Sequence, residues 1–186
     1  MISDLFKVPI YKTTLTLDCD TIKEYCLSYR RSHTSREVSN IGGYQSQDLH
    51  GEIPVLNDLF QKIELEGNKF AKQTEMKPVR LDNVWINING YKDYNETHTH
   101  SGCTFSGTYY VQAESEIVFH HPAENIEYDW NLDTKQGNNE YNMARGGIVP
   151  NKQELMIFPS WLKHSVMPNL SDEERITISF NLKLDK

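Results

Sequence analysis

The segment Asn95-Glu96-Thr97-His98-Thr99-His100 sets two imidazoles two residues apart. On an extended strand such residues point to the same side, so two nitrogen donors can meet one metal ion. A third imidazole, His164, lies just beyond the apolar run Leu155-Met156-Ile157-Phe158, at the loop end of a predicted strand, and is the natural third ligand. Seven histidines are spread over the chain, and an H-x-H pair taken alone fits surface or core histidines equally well.

Arg175 sharpens the reading. It opens a stretch in which Ile176, Ile178, Phe180 and Leu182 alternate with Arg175, Thr177, Ser179 and Asn181. A polar face inside an otherwise apolar barrel is costly unless something polar occupies the cavity. A bound dicarboxylate would meet Arg175 through a two-pronged ion pair, with Thr177 adding a hydroxyl. The competing reading is a surface salt bridge from Arg175 to Asp172, Glu173 or Glu174, immediately upstream.

Other candidates are weaker. His120 and His121 are neighbours, so on a strand they face opposite ways and cannot both reach one ion. Glu96 shares its strand face with His98 and offers a carboxylate as an alternative to His100. Trp85, Trp130 and Trp161 could wall a cavity, although large aromatics are more often core; Trp161 is favoured because it lies near His164. Asn87, Ser106 or Glu96 could accept hydrogen bonds from the histidines' second nitrogens.

The elements that must position these residues follow from periodicity. A short opening strand is expected within Phe6 to Leu17. Thr21 and Glu24 read as a capping box for a first helix carrying Ile22, Tyr25, Cys26 and Tyr29 at helical spacing. The polar stretch from Arg30 to Gly51 reads as an irregular surface excursion. Pro54 opens a second helix with Leu56, Leu59, Phe60 and Ile63 on one face. From Val79 onward the period becomes two: Val84, Ile86 and Ile88 alternate with Trp85, Asn87 and Asn89. Further strands are expected at Phe105 to Gln112, Glu116 to His120, Glu154 to Phe158 and Arg175 to Leu184. Many short strands after N-terminal helices predict a mainly β barrel or jelly roll. The polar break from Pro122 to Asn151 is expected to form a loop over its mouth.

Composition narrows the partners. The 186 residues suit one domain, with 1–78 as helical support and 79–186 as barrel. No run of eighteen apolar residues is present, so no membrane partner is expected. The first residues lack a secretory pattern, and Cys19, Cys26 and Cys103 are an odd set without metal-type spacing, so a reducing, cytoplasmic setting with free thiols is expected. A net charge of −7 and a pI near 5.5 argue against nucleic acid. A small molecule or a protein side chain is the expected substrate, and exposed barrel edges would permit a homodimer.

The motifs Asn89-Gly90-Tyr91, His98-x-His100, Ser106-Gly107-x-Tyr109-Tyr110, Phe158-Pro159-Ser160-Trp161-Leu162-x-His164 and Arg175-x-Thr177 together resemble the small 2-oxoglutarate and iron(II)-dependent oxygenases found in marine bacteria and phages. Ser39-Asn40-x-Gly42-Gly43-Tyr44-Gln45-Ser46 and Ser179-Phe180-Asn181 extend the resemblance over most of the chain. It implies a double-stranded β-helix, cupin-like, with helices on one side and Fe(II) at the barrel mouth. It further implies that His98 and His164 are the two histidines of the metal triad, that Arg175 grips the cosubstrate 2-oxoglutarate, and that Asn89 and Tyr91 help hold it. His100 stands where most such enzymes carry Asp or Glu, leaving the metal site one positive charge higher. The rival readings are a cupin-type three-histidine metalloprotein that needs no 2-oxoglutarate, a non-enzymatic jelly-roll binding module and, within the oxygenases, a nucleic-acid demethylase.

Overall fold

The computed structural model describes residues 7–123, 139, 141 and 143–185. Two helices form where the 3.6-residue period is clear: α1 (Cys19–Ser32) and α2 (Pro54–Gln73). The cap of α1 is Asp18, whose carboxylate accepts the Thr21 backbone N–H, and not the expected Thr21–Glu24 box. Asp18 sits three residues before that N–H, which is the reach an N-cap acceptor requires. Helix α2 starts on Pro54, whose fixed φ and missing N–H suit a first turn.

Among the described residues, eleven strands build two sheets: β1 (Tyr11–Thr14), β2 (Asn40–Ile41), β3 (Tyr44–Gln45), β4 (Val79–Asn89), β5 (Tyr94–His98), β6 (Phe105–Gln112), β7 (Ile117–His120), β8 (Arg145–Ile148), β9 (Glu154–Pro159), β10 (His164–Val166) and β11 (Arg175–Leu184). The larger sheet runs β1-β9-β6-β11-β4-β3 and the smaller β2-β5-β10-β7-β8. All the pairings described are antiparallel. The mainly β, jelly-roll expectation is met.

Alternation along β4 and β11 sorts the interior. Val84, Ile86 and Ile88 with Ile176, Ile178, Phe180 and Leu182 face α1 and α2 in one large apolar core. The opposite faces line a cavity between the sheets, and a smaller core of Tyr110, Ile117, Phe119, Met156, Phe158 and Leu162 closes beside it. Gly107 lets β6 lie close under β11: a Cβ there would stand 2.4 Å from the Phe180 ring and 2.4 Å from the Met156 carbonyl oxygen.

Three expectations are corrected. The opening strand is limited to β1, with Phe6 outside the described residues. The stretch from Arg30 to Gly51 is no surface excursion: β2 pairs with β5, β3 pairs with β4, and Ser39, Asn40, Tyr44, Gln45 and Ser46 are buried. Two-residue strands are too short to show a period, which is why the sequence pattern hides them. Within Pro122 to Asn151, β8 pairs with β7, and the remainder of that loop lies largely outside the described residues.

Candidate functional site

Strands β5 and β10 are register partners at His98 and His164, which brings those two imidazoles side by side. His100 lies two residues past the end of β5, anchored where its backbone N–H donates to the Ser160 carbonyl at 2.9 Å. Strand alternation therefore stops one turn short of it, yet the ring still joins the pair. One ring nitrogen from each of His98, His100 and His164 lies within 4.8 Å of the others, and His100 Nε2 is 3.3 Å from His164 Nε2. Two nitrogens at right angles on a metal with bonds of about 2.1 Å stand about 3 Å apart, so the spacing fits a shared ion.

The backbone fixes which nitrogen each ring presents. His98 Nδ1 lies 2.7 Å from the Glu96 carbonyl and His164 Nδ1 lies 2.9 Å from the Leu162 carbonyl, each two residues upstream on its own chain. An Nδ1–H donated to a carbonyl leaves the Nε2 lone pair for a metal. The expected side-chain acceptors do not take these bonds: Asn87 Nδ2 donates to Ser179 while its Oδ1 is unpaired, and Ser106 Oγ donates to Asn181. Glu96 contributes its carbonyl, while the residue itself is exposed and outside the histidine group.

Burial favours the neutral imidazoles that metal binding needs. It lowers His98, and it takes His100 down to about 4 and His164 to about 3, in both cases helped by the neighbouring His98. All three imidazoles are therefore neutral at neutral pH.

Arg175 is 3% exposed and pairs in register with Asn89, whose Oδ1 accepts its Nη1 at 3.2 Å. The surface salt-bridge reading fails: Glu174 pairs with Arg30 at 2.6 Å and Glu173 accepts from Gln112. The guanidinium lies 5.6 Å from the Tyr110 ring centroid, and Arg175 Nε, Tyr110 Oη and Thr177 Oγ1 are buried without hydrogen-bond partners. Thr177 and Tyr110 are themselves register partners. Burial pushes Tyr110 up to about 12 against the pull of Arg175, so it remains a phenol. A buried cation with no carboxylate partner among the described residues, beside the Tyr110 and Thr177 hydroxyls, is a costly arrangement that an entering carboxylate would satisfy. Together with the three histidines around the same cavity of about 290 Å³, the donor set fits iron plus an acidic chelator.

Residues 83–181 match the model of the family described as "Putative 2OG-Fe(II) oxygenase". The chain belongs to this family. It is thus an oxidoreductase dependent on Fe(II) and 2-oxoglutarate. No curated protein matches it by sequence. Its fold, a double-stranded β-helix, is shared by a Pseudomonas putida prolyl-4-hydroxylase at 10% identity and TM-score 0.67, over 96% of this chain and 94% of that one. The viral collagen prolyl hydroxylase of Paramecium bursaria Chlorella virus-1, in its 2-oxoglutarate complex, matches at 15% identity and TM-score 0.60, over 95% and 96%. HygX of Streptomyces hygroscopicus, with nickel and 2-oxoglutarate bound, matches at 8% identity and TM-score 0.57, over 95% and 83%. Family membership decides against the cupin-type and binding-module readings.

Several residues of the oxygenase lie elsewhere than the sequence suggested. Tyr91 is 58% exposed, because β4 ends at Asn89 and the chain turns at Gly90; the tyrosine beside Arg175 is Tyr110. Trp161 is 56% exposed and does not line the cavity, whereas Trp85 is buried there with its ring 5.6 Å from that of His100. Trp130 lies outside the described residues. His120 meets Thr97 and Ser165 instead of the metal group, and His121 is exposed. Cys19 and Cys26 are buried free thiols, and Cys103 is a half-buried one outside the metal group. No described helix is long and apolar enough to cross a membrane. Arg36, also on the cavity wall, had no signal in its polar surroundings.

Proposed function

We propose that His98, His100 and His164 hold the iron, that Arg175 with Asn89 and Thr177 receives the far carboxylate of 2-oxoglutarate, and that the enzyme hydroxylates a C–H bond of a small molecule or protein side chain. The observation that carries this reading is Arg175: a buried guanidinium, with no carboxylate partner among the described residues, on the cavity that the three imidazoles share. When bound, iron(II) and 2-oxoglutarate would activate dioxygen, the oxidant: one oxygen atom ends in the succinate formed with carbon dioxide, and the other enters the C–H bond.

The chain's own residues bind, orient and exclude water. The Glu96 and Leu162 carbonyls hold two rings with Nε2 inward. Asn89 fixes the Arg175 fork, and Tyr110 and Thr177 offer hydroxyls to the same carboxylate. Trp85, Phe158 and Ile117 supply the apolar part of the wall. The acidic balance argues against a nucleic-acid substrate, and we take the 186 residues as one folding unit, since β1, β2 and β3 complete sheets whose other strands come from 79–184.

The test is an anaerobic titration of the full chain with Fe(II) and 2-oxoglutarate. A weak visible charge-transfer band, then succinate on admitting air, is expected; absence of both would overturn the assignment.

A further inference from the structure

Among the described residues, two guanidinium groups line the cavity, those of Arg175 and Arg36, and no Asp or Glu does. In a chain of net charge −7, an interior that collects cations and omits carboxylates is selected for anions. Arg175 accounts for one anion, the cosubstrate. Arg36 is left over.

Arg36 is held in place from behind. Its Nη2 donates to Asp48 Oδ1 at 2.9 Å, and the second oxygen of Asp48 accepts Asn83 Nδ2 at 3.2 Å. Asn83 Oδ1 in turn accepts Asn181 Nδ2 at 2.9 Å. The guanidinium carbon sits 6.0 Å from the Trp85 ring centroid, and its Nε is buried with no hydrogen-bond partner. A cationic N–H withdrawn from water without an acceptor is destabilising until a ligand supplies one. Asn87 Oδ1, on the same strand as Trp85, is a second buried and unpaired polar atom on this wall.

The register places Arg36 relative to the chemistry. Trp85 is the partner of Ser179 on β11, with Arg175 four residues away in one direction and Asn181 two residues away in the other. The Trp85 ring also lies 5.6 Å from that of His100. Arg36 and His100 therefore flank the same ring, set back along β4 from the Arg175–Asn89 pair.

Resting on the function proposed above, we propose that Arg36 anchors the substrate, which carries a carboxylate. Arg36 Nε donates to a carboxylate oxygen, and the carbon chain of the substrate lies along Trp85 towards the histidines. A cavity of about 290 Å³ that also admits 2-oxoglutarate favours a small acid; an Asp or Glu side chain presents the same group.

The full chain, loaded with Fe(II) and 2-oxoglutarate under argon so that Arg175 is occupied, is titrated with two sets of probes. One holds free L-amino acids and short straight-chain acids, each beside its carboxamide. The other holds short peptides containing Glu or Asp, beside their Gln or Asn versions. Thermal shift ranks the probes and calorimetry measures the best. Expected is a carboxylate that binds at least tenfold more tightly than its amide, in the first set for a small acid or in the second for a protein side chain. Arg36→Gln should weaken that binding roughly ten- to a hundredfold, and Arg36→Lys, which keeps the charge but loses the fork, should fall between. Asp48→Asn, which removes the competing carboxylate, should bind the probe at least as tightly as the wild type. Equal binding of acids and amides in both sets, an unaffected Arg36→Gln, or an Asp48→Asn variant as weak as Arg36→Gln would overturn the assignment. Failure of the loaded chain to show its visible band would instead overturn the proposed function itself.

Discussion

Asn89 holds the Arg175 guanidinium from the neighbouring strand: the two are register partners, and the amide oxygen accepts Nη1 at 3.2 Å. The polar groups around this fully buried cation are neutral, the Asn89 amide and the Tyr110 phenol, and no carboxylate among the described residues pairs with it. The fold therefore carries a charge whose desolvation is not offset until a carboxylate arrives. Arg175→Met should abolish 2-oxoglutarate binding while leaving stability unchanged or higher by about 1 kcal/mol. Thermal unfolding and calorimetry on one preparation check this; a large loss of stability would mean that the arginine is structural.

In the proposed metal site, His100 is the residue that sets the charge. Removing its ring in His100→Ala takes away one of three nitrogen donors, and Fe(II) affinity should fall at least tenfold in a competition titration with a metal indicator. His100→Asp restores a donor and lowers the site charge by one, so it should bind iron at least as tightly as the wild type. Where iron is present at a hundredfold excess over its Kd, binding should add about 2.7 kcal/mol of stability, which gives a second readout by thermal shift. Wild-type affinity in His100→Ala would remove His100 from the ligand set.

Much of this site is legible in the sequence, for a physical reason. Strands β6 and β11 were bounded to the residue because a two-residue period over eight or more positions is hard to imitate, and the same period separates Arg175, Thr177, Ser179 and Asn181 from the core face. The same period speaks for two aromatics: Trp85 shares the parity of Asn83, Asn87 and Asn89, and Tyr110 shares that of Ser106 and Thr108. Parity, and not nearness to a histidine, places Trp85 on the cavity wall over Trp161 and Tyr110 beside Arg175 over Tyr91. Arg36, by contrast, is positioned by Asp48 and Asn83 through contacts 12 and 35 residues apart, and no local pattern encodes those.

Strand β1 is, among the described residues, an edge strand paired with β9, and a polar contact fastens it to α2: Tyr11 Oη donates to Glu66 Oε2 at 2.6 Å, while Lys69 Nζ holds Oε1 at 2.7 Å. Burial, then the bond to Glu66, pushes Tyr11 up to about 12. The folded state thus favours the phenol, and its contribution is complete below the unfolded value near 10 and lost as pH rises through about 12. Burial opposes ionisation of Glu66, but Lys69 and Tyr11 outweigh it and hold the carboxyl below its ordinary value. That contribution is present above the ordinary value and lost as pH falls through the lowered one. Between pH 10 and 12 the wild type should lose about 1 kcal/mol more stability than Tyr11→Phe, allowing for solvent screening. Parallel denaturation curves for the two proteins would refute this.

Gly43 connects the polar N-terminal stretch to the cosubstrate pocket. A Cβ at this position would stand 2.8 Å from Asn89 Nδ2 and 2.9 Å from the Ile88 carbonyl oxygen. The backbone oxygen belongs to β4 and cannot yield, because β4 is paired on both sides by β3 and β11. The Asn89 amide must then rotate, and it is the amide that orients Arg175. Overpacking of this kind costs about 1–3 kcal/mol, so Gly43→Ala should raise the KM for 2-oxoglutarate roughly tenfold, through Asn89, while the iron affinity set by His98, His100 and His164 stays within twofold. An Asn89→Ala background supplies the control, since with the amide gone the added methyl has no side chain left to displace. If Gly43→Ala raises KM equally in that background, the effect runs through the β4 backbone and not through Asn89.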